Sequence, residues 1–338
     1  MKRKCFRHNL PLFFLFAAFI LPFPASAQER IRLGLSSISA TNGSVWVAEE
    51  KGFFKKQGVD VEVIVIGGGG ARVISSLIAG EIHFSVGGGE GSIRSQLKGV
   101  DNVIVASTLT KGLQRILARP EIKTYQDLKG KRIGITQFGS AGHLVLLLML
   151  KKWNMRPDQV QIVQLGSSPA MLVSLDKGGV DAAVLTMPTF FLAEEKGYRL
   201  VGDPANMDIS YLQNTLESTR PFLRNNRDRA VKFMKGYIEG IAHFKKNKRE
   251  SLEIMRKKLR IQSEQERDVR YLELSYALLA STFYNEVPYP SLKGIQTILD
   301  KLAEEDPKVK ERDPKSFIDA SLVKELDDSG FIKALYGH

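Results

Sequence analysis

The chain has 338 residues, 49 of them basic and 37 acidic, a single cysteine and a formal net charge of +12. That length can build two lobes with cores of their own, and one cysteine excludes a disulfide framework or a cysteine-rich metal site. The basic excess raises nucleic acid or membrane as a partner, but it falls mostly between Arg220 and Arg270 at helical spacing, which reads as solvated helix faces; no nucleic-acid partner is expected, only a bias toward anionic ones.

The N-terminus reads as a secretory signal over residues 1–27. Lys2, Arg3, Lys4 and Arg7 make a basic start, residues 10–21 are apolar, and Ala25-Ser26-Ala27 is a cleavage site. About a dozen apolar residues fall short of the roughly 20 that a spanning helix needs. Cleavage would remove Cys5, leave 311 residues with a net charge of +8, and leave no cysteine to carry a lipid. The expected product is an unanchored periplasmic protein without a thiol.

Residues 31–36 alternate as a strand, and the polar stretch 37–43 follows as a turn. A helix over 44–51 stops at Gly52; then come a strand over 59–66, a glycine break at 67–70, a helix over 71–79 and a strand over 82–86. Short connections between alternating strands and helices imply parallel pairing. The same series returns as a strand over 131–136, a helix over 140–153, a strand over 160–165, a helix over 169–177 and a strand over 180–185.

Leu33-Gly34-Leu35-Ser36 is echoed by Ile133-Gly134-Ile135-Thr136, and Val63-Ile64-Val65-Ile66-Gly67 by Ile162-Val163-Gln164-Leu165-Gly166. A third match pairs the segment from Ser76 with that from Ser174, and the offsets are 100, 99 and 98. Three matches in register predict two similar α/β lobes, with a cleft between them that can take a small molecule.

A strand over 103–108 and the stretch 114–119 lead into the second lobe, and the extended stretch 211–218 leads out of it. Lobe one is therefore expected to comprise residues 28–110 plus 212–338, and lobe two residues 111–211, joined by a two-strand hinge. From about Pro221 the chain should be helical and pack on lobe one. Ala230, Phe233, Met234, Tyr237, Ile241 and Phe244 mark one apolar face, and the last helices are expected over 291–304 and 315–327.

Four helix starts carry small residues: Asn42-Gly43-Ser44, Gly69-Gly70-Ala71, Gly88 to Ser92, and Gly139-Ser140-Ala141. Unpaired amides at such starts seat an anionic or polar head group. Glu90 either stabilises its own helix start or meets a cationic ligand group. Trp46 could stack on a ligand or fill the core, and His143 could face the cleft or pack. The glycine runs match neither a dinucleotide fingerprint nor a phosphate loop. The remaining histidines, His83, His143, His243 and His338, show no metal-ligand spacing, so neither metal nor cofactor is expected.

Three segments resemble one family. Val47-Ala48-Glu49 through Gly52-Phe53-Phe54 to Gly58-Val59-Asp60-Val61 looks like its opening motif, Asp127-Leu128-Lys129-Gly130-Lys131-Arg132-Ile133-Gly134 like its second-lobe opening, and Gly178-Gly179-Val180-Asp181-Ala182-Ala183 like its later turn. The family is the nitrate/sulfonate/taurine-type substrate-binding proteins of ABC importers, which includes binders of the thiamine pyrimidine precursor. The resemblance implies the α/β, two-lobed type II periplasmic binding protein fold, each lobe a mostly parallel sheet flanked by helices, with extra C-terminal helices.

It also implies a monomer without catalysis that closes on one small organic anion or heterocycle and docks on an inner-membrane permease. By position its ligand-binding residues fall on Ser36, Ser37, Thr41, Asn42, Gly43, Gly88, Gly89, Glu90, Ser107, Gly139, Ser140, Ala141, Thr186 and Met187. The Gly-Gly-Gly-Glu run at 87–90 departs from the sulfonate and nitrate binders, and no Arg or Lys stands in those loops, which argues against a small inorganic anion. The rival readings are a solute sensor for a membrane kinase, or a pyridoxal-phosphate enzyme of the pyrimidine-synthase type.

Overall fold

The computed structural model describes residues 30–67, 69–207, 209–262 and 265–337. The expected signal segment over 1–27, with Cys5, lies outside them, as does His338.

The first half of the chain runs β1 (Ile31–Leu35), α1 (Gly43–Glu50), α2 (Phe53–Lys56), β2 (Val61–Val65), α3 (Gly69–Ile78), β3 (Phe84–Gly87), α4 (Gly89–Leu97) and the long β4 (Asn102–Lys111). The second sheet follows with β5 (Arg115–Ala118), β6 (Arg132–Ile135), α5 (Ala141–Lys152), β7 (Gln161–Gln164), α6 (Ser168–Asp176), β8 (Ala182–Leu185), α7 (Thr189–Glu195) and β9 (Arg199–Gly202). The long β10 (Ser210–Thr219) then returns to the first sheet.

Sheet one has the order β2-β1-β3-β10-β4 and sheet two β7-β6-β8-β5-β9. In each, the first three strands are parallel and one added strand, β10 or β5, runs antiparallel between them and the edge strand, β4 or β9. The sequence echo has a packing cause. β1 and β6 are buried on both faces, and their central glycines leave room for a covering side chain: a Cβ on Gly34 would stand 2.5 Å from Ile82 Cδ1, and one on Gly134 3.0 Å from Leu165 Cδ1.

The chain passes between the sheets twice, from β4 into β5 and from β9 into β10. β10 lies antiparallel to β4 in a ladder from Ser210↔Lys111 to Thr219↔Asn102, with register shifts near its middle. These paired strands floor the space between the sheets.

The C-terminal third is helical: α8 (Arg220–Asn225), α9 (Arg227–Lys246), α10 (Lys248–Lys258), α11 (Glu266–Leu278), α12 (Leu292–Leu302), α13 (Ser321–Asp328) and α14 (Phe331–Tyr336). The apolar face of α9 is buried against α1 in the core under sheet one. The two helices touch backbone to backbone at Gly240, where a Cβ would lie 2.5 Å from Ser44 O. Among the described residues no helix is long and apolar enough to cross a membrane.

Two expectations need correction. Residues 315–327 are not one helix: Pro314–Phe317 is a 3-10 turn, Asp319 N donates to Ile104 O at 3.0 Å, and α13 starts only at Ser321. Docking of Ile318 beside Ile104 of β4 interrupts the periodicity. The C-terminal helices also do not pack on sheet one alone, because Tyr271 of α11 is buried in the cluster around Phe190 and Phe191 of α7, beyond sheet two.

Candidate functional site

A cavity of about 470 Å³ lies between the two sheets. The loop after β1 supplies Ser36, Ser37, Ser39, Thr41 and Asn42 to its wall, and the turn from β3 into α4 supplies Gly87, Gly88, Glu90, Gly91 and Arg94. From sheet two come Gln137 to Ala141, Thr186 and Met187, while the crossing segments contribute Leu113, Gln114, Tyr211, Gln213 and Asn214.

Of the residues expected from sequence, Ser36, Ser37, Thr41, Asn42, Gly88, Glu90, Gly139, Ser140, Ala141, Thr186 and Met187 line this space. Gly43, Gly89 and Ser107 do not. Gly43 packs on Phe244, where a Cβ would come within 2.4 Å of Cε2, and Gly89 packs on Leu212, with 2.7 Å left to Cδ1. Ser107 is wholly buried in β4. Trp46, 2% exposed, belongs to the core.

The start of α1 proves closed to a ligand. The Tyr284 hydroxyl accepts from Ser44 N at 3.2 Å and donates to Thr41 O at 2.8 Å. Asn42 Nδ2 donates to Ser37 O at 2.8 Å, and Asn214 Nδ2 to Thr41 O at 2.9 Å. This network holds the loop 36–42 as a rigid wall and uses up the donors expected there.

The start of α5 is different. Ser140 Oγ accepts from His143 N at 3.3 Å and shares a hydrogen with Thr136 Oγ1 at 2.9 Å. Ser140 N donates to Gln137 O. Among the described residues, the first-turn amides of Ala141 and Gly142 are left without an acceptor, as the first turn of any helix requires unless something caps it. His143 lies outside the lining: its Nδ1 accepts from Gly139 N at 3.1 Å, so the ring's own proton sits on Nε2. Burial, helped by the charge of Lys301, lowers its pKa and keeps it neutral.

On the opposite wall Glu90 Oε1 accepts from Arg94 Nε at 2.8 Å, one turn along α4. The same guanidinium grips Glu305 through NH1 and NH2 at 3.0 and 3.1 Å. Burial, and then the Glu90 charge, push the Tyr211 hydroxyl pKa well up. Glu90 and Arg94 are the charged side chains that line the cavity.

Sequence reasoning missed Arg94, Gln114, Gln137, Phe138, Tyr211, Gln213 and Asn214. The polar residues Gln114, Gln213 and Asn214 on otherwise apolar crossing segments were a usable signal. Arg94, four residues beyond Glu90 on one helix face, was another. Among the described residues no three His, Cys, Asp or Glu side chains gather in a group that could hold a metal ion.

The profile of the NMT1/THI5-like family matches residues 41–251, more than half of the sequence. The chain belongs to that family. A protein of Brucella abortus described as a binding protein is 28% identical over 268 residues, 77% of this chain and 80% of that one. The taurine-binding periplasmic protein of Escherichia coli is 30% identical over 130 residues, covering 38% of this chain and 40% of that one.

Among solved structures, the periplasmic aliphatic sulphonate-binding protein SsuA of E. coli superposes with a TM-score of 0.71 at 19% identity, over 88% of this chain and 99% of that one. The desulfurization enzyme DSZB superposes with a TM-score of 0.61 at 15% identity, over 89% and 99%. At such identities the likeness is one of fold, and this fold carries both binding proteins and an enzyme.

Proposed function

We propose that this member of the NMT1/THI5-like family is the periplasmic solute-binding component of an ABC importer, not an enzyme. It would take a small organic anion or heterocycle between lobes formed by residues 28–110 with 212–338 and by 111–211. Closure about the two crossing segments would bury that ligand, and the inner-membrane permease would receive the closed form. Contacts made only in the closed form give the ligand its hold on the hinge equilibrium.

The observation that carries this reading is the cavity itself: its walls come from both sheets and its floor from the strands that join them. Relatives named as binding proteins support it. Fold alone would not, because the same fold also serves an enzyme. Among the described residues, Ser140 of the wall is occupied by its own helix start and His143 stands outside the lining.

A thermal-shift screen of carboxylates, sulfonates and pyrimidines tests the proposal. A true ligand at ~100 times its dissociation constant adds about 2.7 kcal/mol to the folded state, and X-ray scattering should show the molecule contract with it. An unmoved melting temperature across a broad panel, with unchanged scattering, would count decisively against a receptor.

A further inference from the structure

Two large apolar side chains stand about half exposed beside the cavity, Ile38 at 50% and Phe138 at 54%. A single exposed apolar residue needs no explanation. These two occupy the same position of the sequence repeat: Ser36 aligns with Thr136 at the offset of 100, so Ile38 falls on Phe138. They follow β1 and β6, the matching strands of the two sheets, and so sit on opposite walls of one space. Ser37 and Ser39, on either side of Ile38, line the cavity, as do Gln137, Phe138 and Gly139. Neither apolar side chain is packed into a core cluster.

Both are carried on braced loops. Ser36 N donates to Val86 O at 3.0 Å and Asn42 Nδ2 to Ser37 O at 2.8 Å, which fixes the chain on either side of Ile38. Phe138 N donates to Gln164 Oε1 at 3.1 Å, and Ser140 N to Gln137 O at 3.1 Å. The Phe138 ring meets that of His143 edge to face, with centroids 5.2 Å apart. The backbone of each loop is therefore set in advance, with apolar surface left in water that the facing lobe is placed to cover.

We propose that Ile38 and Phe138 meet across the mouth of the cavity when the lobes close, forming an apolar seal over the bound solute. This rests on the solute-receptor reading and goes beyond it by naming a contact that holds the closed form. The seal stabilises closure by taking both side chains out of water, and it makes no demand on the chemistry of the solute beneath it. Ile38 and Phe138 are then positioning residues for closure, one contributed by each copy of the repeat.

Disulfide trapping tests the contact without any solute. Cys5 is the only cysteine in the chain, so a Cys5→Ser background carrying Ile38→Cys and Phe138→Cys reports on that pair alone. A disulfide needs Cα atoms within about 7 Å, and mild oxidation should form one in this variant. The control pair Ile38→Cys with Val173→Cys, similarly exposed on α6 but off the cavity wall, should stay reduced. Thermal unfolding under reducing conditions reports whether the fold is intact. Calorimetry then measures what the apolar contact contributes, the probe being the carboxylate, sulfonate or pyrimidine that raises the melting temperature most in the screen. Ile38→Ser and Phe138→Ser should each weaken it about fivefold. The two losses should be non-additive, since a contact broken from one side cannot be broken again from the other.

A disulfide between positions 38 and 138 that fails to form, or forms no faster than the control, overturns the inference. Additive losses in the calorimetry overturn it as well, because they mark two side chains acting apart. Contraction with a probe in scattering, without trapping, leaves the receptor reading standing and removes the seal. Should no probe bind, the receptor reading falls, and the trapping result by itself decides whether the two side chains meet.

Discussion

The Tyr271 hydroxyl donates to Glu195 Oε2 at 2.6 Å, tying α11 to the last residue of α7. The Tyr271 ring lies near-parallel to that of Phe191, with centroids 6.2 Å apart, and the Arg270 guanidinium stands 3.8 Å from the same carboxylate. α11 packs on α10, which packs on α1 and α9 beside sheet one, whereas α7 follows β8 of sheet two. The contact therefore joins the two halves across the flank of the cavity. α7 also begins directly after the cavity residues Thr186 and Met187.

Removing that bond should loosen the ligand. Tyr271→Phe keeps the ring and deletes the donor, at a cost of about 1 kcal/mol to the form that makes the bond. Ligand affinity is expected to fall about fivefold, while the melting temperature of the ligand-free protein hardly moves. An unchanged affinity by calorimetry would show that the contact plays no part in closure.

Tyr284 should matter for stability as well as for binding. Its hydroxyl serves both Ser44 N and Thr41 O while only 3% exposed. Tyr284→Phe strands the buried Ser44 amide, worth about 1–3 kcal/mol when unpaired, and leaves Thr41 O to Asn214 Nδ2 alone. We expect a lower unfolding midpoint in urea at unchanged slope, and weaker ligand binding as the 36–42 wall loses its anchor. Full binding in the variant would mean that the wall holds without it.

Stability should fall as pH rises through the range set by Glu217. This side chain is wholly buried in β10, and burial pushes its pKa from the ordinary 4.5 up to about 8, although hydrogen bonds with Thr215 and Ser85 oppose the shift. The geometry agrees with a protonated acid. Thr215 Oγ1 stands 3.0 Å from Gly87 O and also contacts Glu217, but one hydroxyl proton serves one acceptor. A Glu217 O–H donating to Thr215 lets Thr215 donate to Gly87. With the folded pKa raised above the unfolded one, the folded state holds the extra proton. The stabilisation is full below about 4.5 and is lost as pH climbs through about 8. Melting temperatures across that window should decline, and Glu217→Gln should flatten this part of the profile. A variant with the wild-type slope would remove Glu217 as its cause.

The repeat, the alternation of strands and helices within each half and the small-residue turns were legible because they are local: period, glycine position and apolar runs encode them. The closed start of α1 was not. Asn42-Gly43-Ser44 reads like an open helix start, and only Tyr284, 240 residues beyond Ser44, fills it. The floor was hidden for the same reason, since Gln114 and Asn214 stand one hundred residues apart and line one cavity only once the crossing segments are brought together. Glu90 fell between these cases: its helix position was readable, whereas the division of Arg94 between Glu90 and Glu305 was not.

Asn214 gives the sharpest single test of that floor. Its Nδ2 reaches Thr41 O at 2.9 Å and Asn42 Oδ1 at 3.4 Å, so both neighbours are acceptors and only a donor fits. Asn214→Asp preserves shape but turns the donor into an oxygen, placing a buried charge against two lone-pair bearers. The carboxylate must then either stay ionised and repel them or take up a proton to donate. We expect a loss of roughly 2–4 kcal/mol at neutral pH, partly recovered as pH is lowered and the acid protonates. Asn214→Ala, which leaves Thr41 O to the Tyr284 hydroxyl alone and adds no charge, should cost less and show no such recovery. Parallel urea titrations of the two variants at two pH values distinguish these outcomes, and equal, pH-independent losses would mean that the position is a matter of volume rather than of hydrogen-bond polarity.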